Sequence, residues 1–189
     1  MRRFSIVFFL FFAVSLSAAE LLSEAPKGFL WKQMPFIKMQ LLMPSDWFFT
    51  FYAENKEERY LYYITKENIE QMHAYQTGLN LRVFRNVPAK LKGQLPSEYS
   101  AAAVAETAKK VKFTRKWEQQ KGMFKEIGYT YTDNTDEKNI LNVYRLYIAN
   151  DKTGTVYILT FEGPTNDWDE IWKNVGDVIY KNISIDETI

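Results

Sequence analysis

The strongest constraint on this chain lies in two successive segments, residues 140–149 and 155–161, that are apolar on both faces. In the first, Tyr144, Leu146 and Ile148 alternate with Leu141, Val143 and Tyr147. In the second, Val156 and Ile158 alternate with Tyr157, Leu159 and Phe161. A strand that is apolar on both faces has to be covered on both sides. The turn between them, residues 150–154, is too short for a parallel crossover, so the two strands pair antiparallel. The chain must therefore build an antiparallel sheet with further layers above and below it.

Other segments fit that plan. Ile37, Met39, Leu41 and Met43 alternate with Lys38 and Gln40, and Pro44-Ser45-Asp46 supplies a turn. Residues 47–52 (WFFTFY) and 60–65 follow as strands around a charged hairpin loop, 54–59. Residues 66–76 are ambiguous between loop and short helix. Residues 79–83 read as a fourth strand. Pro96-Ser97-Glu98 opens a helix, with Ala101, Val104, Ala105, Ala108 and Val111 on one face at 3.6-residue spacing. Residues 114–120 and 124–132 return to period two around Lys121-Gly122. A last helix is expected to start at the capping residues Asn166-Asp167 and to bury Trp168, Ile171, Trp172, Val175 and Ile179, before a short strand at 183–185. The order predicts an α+β domain, a twisted antiparallel sheet flanked by helices.

Composition limits the chemistry. The 189 residues are 47% hydrophobic and 25% charged, enough for one sizeable core, and the net charge of +1 gives no field that would draw nucleic acid. No cysteine is present, which removes disulfides, thiolate zinc sites and a cysteine nucleophile. Residues 1–19 read as a signal peptide: Arg2 and Arg3, an apolar run from Phe4 to Leu16, and small residues Ser17-Ala18-Ala19 before Glu20. The run is short for a membrane span, which needs about 20 residues. Residues 20–28 form a short lead and 29–189 a single domain. The expected location is the periplasm or the outside of the cell.

The order of motifs resembles the PsbP/DcrB-like superfamily, in its bacterial envelope branch. A hydrophobic strand runs into Met43-Pro44-Ser45-Asp46-Trp47, and a second strand spans Leu79 to Phe84. Ser97-Glu98-Tyr99 opens the helix, Tyr157-Ile158-Leu159-Thr160-Phe161 forms a tyrosine-containing strand, and Ile183-Ser184-Ile185 follows the terminal helix. The resemblance implies an α/β/α sandwich, generally without an identified catalytic centre, and transfers no site residues or cofactor. Its branches bind quite different partners.

Candidate chemistry is sparse. His73 is the one histidine and lacks HExxH or any other metal-ligand spacing. Asp133, Asp136 and Glu137 share a loop that fails the EF-hand pattern. Asp167 and Asp169, two apart, do not face each other on a helix. There is no GxSxG, P-loop or GxGxxG. The run Lys109, Lys110, Lys112, Arg115, Lys116 is the candidate partner-binding patch for an acidic surface, against the plainer reading of solvated lysines at a helix C-terminus. The dense aromatics Trp47, Phe48, Phe49, Phe51, Tyr52, Tyr60, Tyr62 and Tyr63 read mainly as core, with a groove or patch as the alternative. The expected function is an exported, non-enzymatic accessory or binding protein of the cell envelope, whose partner is another protein. A carrier of a small apolar ligand or lipid and a carboxylate-based hydrolase are the alternatives. The carrier calls for a dry cavity between sheet and helix, the hydrolase for two converging carboxylates, and the accessory protein for an exposed apolar or charged patch.

Overall fold

The computed structural model describes residues 23–186, so the signal peptide expected at 1–19 lies outside the described residues. The strands are β1 (Phe29–Gln33), β2 (Met39–Pro44), β3 (Phe48–Glu54), β4 (Arg59–Thr65), β5 (Gly78–Phe84), β6 (Arg115–Lys121), β7 (Phe124–Asp133), β8 (Leu141–Asn150), β9 (Thr155–Pro164) and β10 (Ser184–Ile185). The helices are the single turns α1 (Ile69–Met72) and α2 (Val87–Lys90), the longer α3 (Pro96–Ala108), and a terminal helix of α4 (Trp168–Ile171), a π-helical turn Trp172–Gly176 and α5 (Asp177–Lys181).

Both expected hairpin series form, and they lie side by side in one sheet. The main sheet has the order β3-β4-β5-β9-β8-β7-β6, with every pair antiparallel. Strands β3 to β5 make one meander and β6 to β9 another, and the pairing of β5 with β9 joins them. Strand β2 does not enter this sheet. It pairs with β1 and β10 in a separate three-stranded sheet, because the turn at Ser45-Asp46 redirects the chain. The single sheet expected from sequence is thus two, and β1 is a strand that the sequence reading did not contain.

The layers follow from the two-sided strands. On one face, Tyr62, Leu81, Leu159 and Leu146 meet Met39, Leu41 and Met43 of the small sheet and the terminal helix in one large core. On the other face, Ile127, Tyr129, Tyr147, Val156 and Ile158 pack under Val104 of α3. The fold is the expected antiparallel α+β sandwich, with a small sheet sharing one outer layer with the terminal helix.

Helix α3 starts as expected. Pro96 stands at its first turn and the Glu98 carboxylate accepts from the Leu95 backbone N–H at 3.0 Å. Asp151, from the β8–β9 turn, accepts from both the N–H and the hydroxyl of Ser97 (2.8 and 2.7 Å), which fastens the helix N-terminus to the hairpin below. The buried stripe differs from the one read from sequence. Pro96, Ser100 and Val104 are buried, whereas Ala101, Ala105 and Ala108 face solvent. Ser100 can be buried because its hydroxyl donates to the Pro96 carbonyl at 2.8 Å. Apolar spacing was misleading here, since a methyl gains little from burial while Val104 takes the centre.

The terminal helix covers the sheet with the expected residues. Trp172 stacks on Tyr144 at 4.3 Å and meets Phe161 edge-on at 5.8 Å, while Trp168 stacks on Trp172 at 5.5 Å. Asp167 makes no side-chain cap, contrary to expectation; its backbone carbonyl accepts from Ile171 instead. The π-helical turn brings the Trp172 ring over Gly176, where a Cβ would collide with it. Trp172→Ala is expected to cost about 3 kcal/mol, the low end for a large aromatic because the ring is only partly buried. Thermal denaturation checks this, and an unchanged midpoint would remove the helix from the core.

Candidate functional site

The basic run spans the end of a helix, a connection and the start of a strand. Helix α3 ends at Ala108, so Lys109, Lys110 and Lys112 lie in the exposed connection to β6 rather than on a helix. Lys109 pairs with Glu106 at 2.6 Å. Arg115 and Lys116 open β6 and point to opposite faces of the sheet, as successive strand residues must. The Arg115 guanidinium lies over the Trp117 ring at 5.2 Å. His73 is exposed and ends α1 in the left-handed conformation. In the acidic loop, Asp133 accepts from the Thr135 hydroxyl and N–H, and Asp136 from the Asn139 side chain and Lys138 N–H. Those bonds hold both carboxyls below their ordinary range. Among the described residues no group of three or more His, Asp or Glu side chains is placed to hold a metal.

The two edges of the main sheet differ in kind. Strand β6 (RKWEQQK) carries charges along its length, and Glu118 pairs with Lys125 of β7 at 2.9 Å. Charged edges resist pairing with other chains. Strand β3 (FFTFYAE) has no charge before Glu54 and no strand on its outer side among the described residues. Phe48 is 44% exposed, Phe51 39% and Tyr52 54%. Phe36, 56% exposed, leans in from the β1–β2 connection, stacking with Tyr60 at 5.8 Å and meeting Phe51 at 6.0 Å. Its backbone is left-handed, φ 66°, a conformation costly for a residue with a large side chain.

A cleft of about 410 Å³ opens on the small-sheet face, between β6–β8 and the C-terminal segment. Trp117, Tyr144 and Trp172 form a row along it, with ring centroids 4.9 and 4.3 Å apart. Burial holds the Tyr144 hydroxyl well above its ordinary pKa, reinforced by Glu126 and Asp177 and opposed by Arg115. Glu126, only 7% exposed, accepts from Gln119 Nε2 at 2.6 Å. Asp177 pairs with Lys181 at 2.5 Å.

The sequence reading missed Trp117, Glu126 and Phe36. Two of them leave a signal. Trp117 is a lone aromatic in a charged strand, and Glu126 shares the core-facing register of β7 with Phe124 and Gly128. Phe36 leaves none, since its exposure depends on a left-handed turn.

A scan of family models finds none that matches, and no curated protein is significantly similar. Solved structures do match. The solution structure of cyanobacterial PsbP (CyanoP) from Synechocystis sp. PCC 6803 aligns over 86% of this chain and 95% of its own, with a TM-score of 0.52 and 9% identity. A Bacteroides thetaiotaomicron structure aligns over 79% of this chain and 45% of its own (TM-score 0.43, 9% identity). A Pseudomonas aeruginosa protein of unknown function aligns over 80% and 95% (TM-score 0.42, 13% identity). The likeness to the cyanobacterial structure shows that the chain has a PsbP-like fold. Among the described residues no helix is long and apolar enough to cross a membrane.

The opposite face of the sheet buries a polar cluster. Arg145 donates to Thr160 Oγ1 at 2.9 Å and to the Tyr129 hydroxyl at 3.3 Å. Tyr75, from the β4–β5 connection, accepts from Asn80 at 2.9 Å and lies against Tyr63. Beneath them, burial raises the pKa of Glu162 above its ordinary value, partly offset by Tyr75 and Arg145. A carboxyl whose pKa is higher folded than unfolded stabilises the fold below the unfolded pKa. That contribution is lost as pH rises through the folded value. Glu162→Gln is therefore expected to flatten the decline in stability above pH ~4.5, with little effect at lower pH. Urea denaturation between pH 3 and pH 8 checks this; a variant that loses stability most at neutral pH would show that the charged form is favoured instead.

Proposed function

We propose that this protein is an exported, non-catalytic accessory protein of the cell envelope that engages another protein along the outer edge of β3. The observation that carries this reading is the contrast between the two sheet edges. An aromatic edge with free backbone donors and acceptors is what a partner strand adds to, with the main chain giving affinity and side-chain pockets giving selectivity. Phe36 supports the same reading. A left-handed backbone holds its ring out beside Phe51, and a strained, exposed aromatic is better explained by an interaction than by folding. Export rests on the N-terminal sequence: two arginines, an apolar run and a small-residue cleavage site.

An apolar cargo is less well supported. The cleft mixes its rings with Glu126, Gln119, Lys121, Asp177 and Lys181, and a lipid chain would leave the Glu126 carboxylate desolvated with one hydrogen bond.

A photo-crosslinking amino acid at Tyr52, in the cells that make the protein, tests the proposal. A crosslink to one discrete protein is expected at Tyr52 and none at Glu118 on the charged edge. Equal labelling at both positions, or none at Tyr52, would overturn it.

A further inference from the structure

A strand added to the outer edge of β3 has to meet the side chains that overhang that edge. Resting on the reading that a partner docks there, we infer that its strand is acidic at one defined position. A carboxylate pairs with Lys32, two residues away from an apolar side chain seated against Phe36 and Phe51.

The overhang comes from the small sheet. Lys32 of β1 places Nζ 4.2 Å from the centre of the Phe49 ring. Phe36 meets Phe51, two residues further along β3, at 6.0 Å. The turn that presents Phe36 is over-determined. Met34 and Ile37 on either side are buried, and the Met34 N–H donates to the Met39 carbonyl at 2.9 Å. Gln33 Nε2 donates to the Ile37 and Met39 carbonyls at 2.8 and 3.1 Å, and the Tyr62 hydroxyl donates to the Pro35 carbonyl. Such bracing is what keeps a left-handed backbone at a residue with a large side chain. Phe36 is thus fixed in place while its ring stays 56% exposed.

Charge then selects the partner. Phe49 and Phe51 point to one face of β3, so the partner residues opposite them share that face and are also two apart. A strand seated there covers Lys32, which is already only partly exposed. Among the described residues no carboxylate pairs with its ammonium. Glu54, the one charge of β3, alternates to the other face and lies 4.0 Å from Arg59. Burying an ammonium without a counter-charge is costly, whereas a carboxylate brought by the partner gives a charge-assisted hydrogen bond. Every pair in the main sheet is antiparallel. The same direction at this edge puts the partner's apolar residue, opposite Phe51, before its acidic one, opposite Phe49.

Nuclear magnetic resonance titration of the full exported chain with threonine-rich peptides of seven residues, the length of β3, tests the inference. One peptide carries phenylalanine and, two residues later, glutamate; the control has glutamine in place of the glutamate. Both should shift the β3 amides saturably, the glutamate peptide binding roughly tenfold more tightly through one charge-assisted hydrogen bond. Lys32→Met, which keeps the apolar stem, should remove that preference, and Lys32→Glu should transfer it to a peptide with lysine at the acidic position. Equal affinity for the two peptides, or a preference that survives in Lys32→Met, would overturn the inference while leaving β3 as the docking edge. Absence of any β3 shift with either peptide would also overturn it, and the crosslink at Tyr52 would then decide by itself whether the edge is used.

Discussion

The pairing of β5 with β9 holds this molecule together. Two meanders, each closed by short local turns, meet at that one ladder from Gly78↔Glu162 to Phe84↔Val156. Its contacts are far apart in sequence, so they form only after a large loop has been closed, and they repay that entropy by burial on both faces. Leu79, Leu81 and Val83 face one core with Leu159 and Phe161, and β9 turns Val156 and Ile158 to the other. A small residue is required at the end of the adjoining β4–β5 ladder. Gly78 sits so tightly against Thr65 that a side chain there would collide with backbone atoms.

From that centre one row of side chains runs across the whole sheet: Phe51, Tyr62, Leu81, Leu159, Leu146, Gly128 and Trp117. Its middle is hydrophobic core. Its two ends are aromatic and only partly covered, and they face different surroundings. At the β3 end the strand has no charge before Glu54, and no further strand pairs with its outer edge among the described residues. At the β6 end charges guard the edge, and the ring turns inward over a glycine to line a cleft. Rigidity at the centre fixes where both ends point, which is how a PsbP-like sandwich without a catalytic constellation can still present defined binding surfaces.

Much of the fold was legible in the sequence, because period-two patterning and short turns constrain antiparallel strands strongly. The two-sided character of residues 140–161 required layers on both sides, and the Trp168/Trp172 stripe located the terminal helix. What could not be read depends on long-range choices. Strand β9 inserts beside β5 rather than at an edge, and β2 leaves for a second sheet; neither leaves a local signal. The face of α3 was misread because alanines mark apolarity without marking burial. The aromatics of β3 read as core, since alternation sets which face a ring takes but not whether another layer covers it. The basic run, compact in sequence, extends past the end of α3 into the start of β6, a boundary that its charges do not mark.

Residue-resolved hydrogen exchange on the isolated protein tests the central claim, that an open edge strand hangs on a rigid β5–β9 centre. Amides of β5 and β9 should exchange only through global unfolding, at free energies of about 5–15 kcal/mol. Those of β3 that point away from β4 should exchange orders of magnitude faster. Protection throughout β3 equal to that of β9 would mean that the edge is already covered, and would contradict the account.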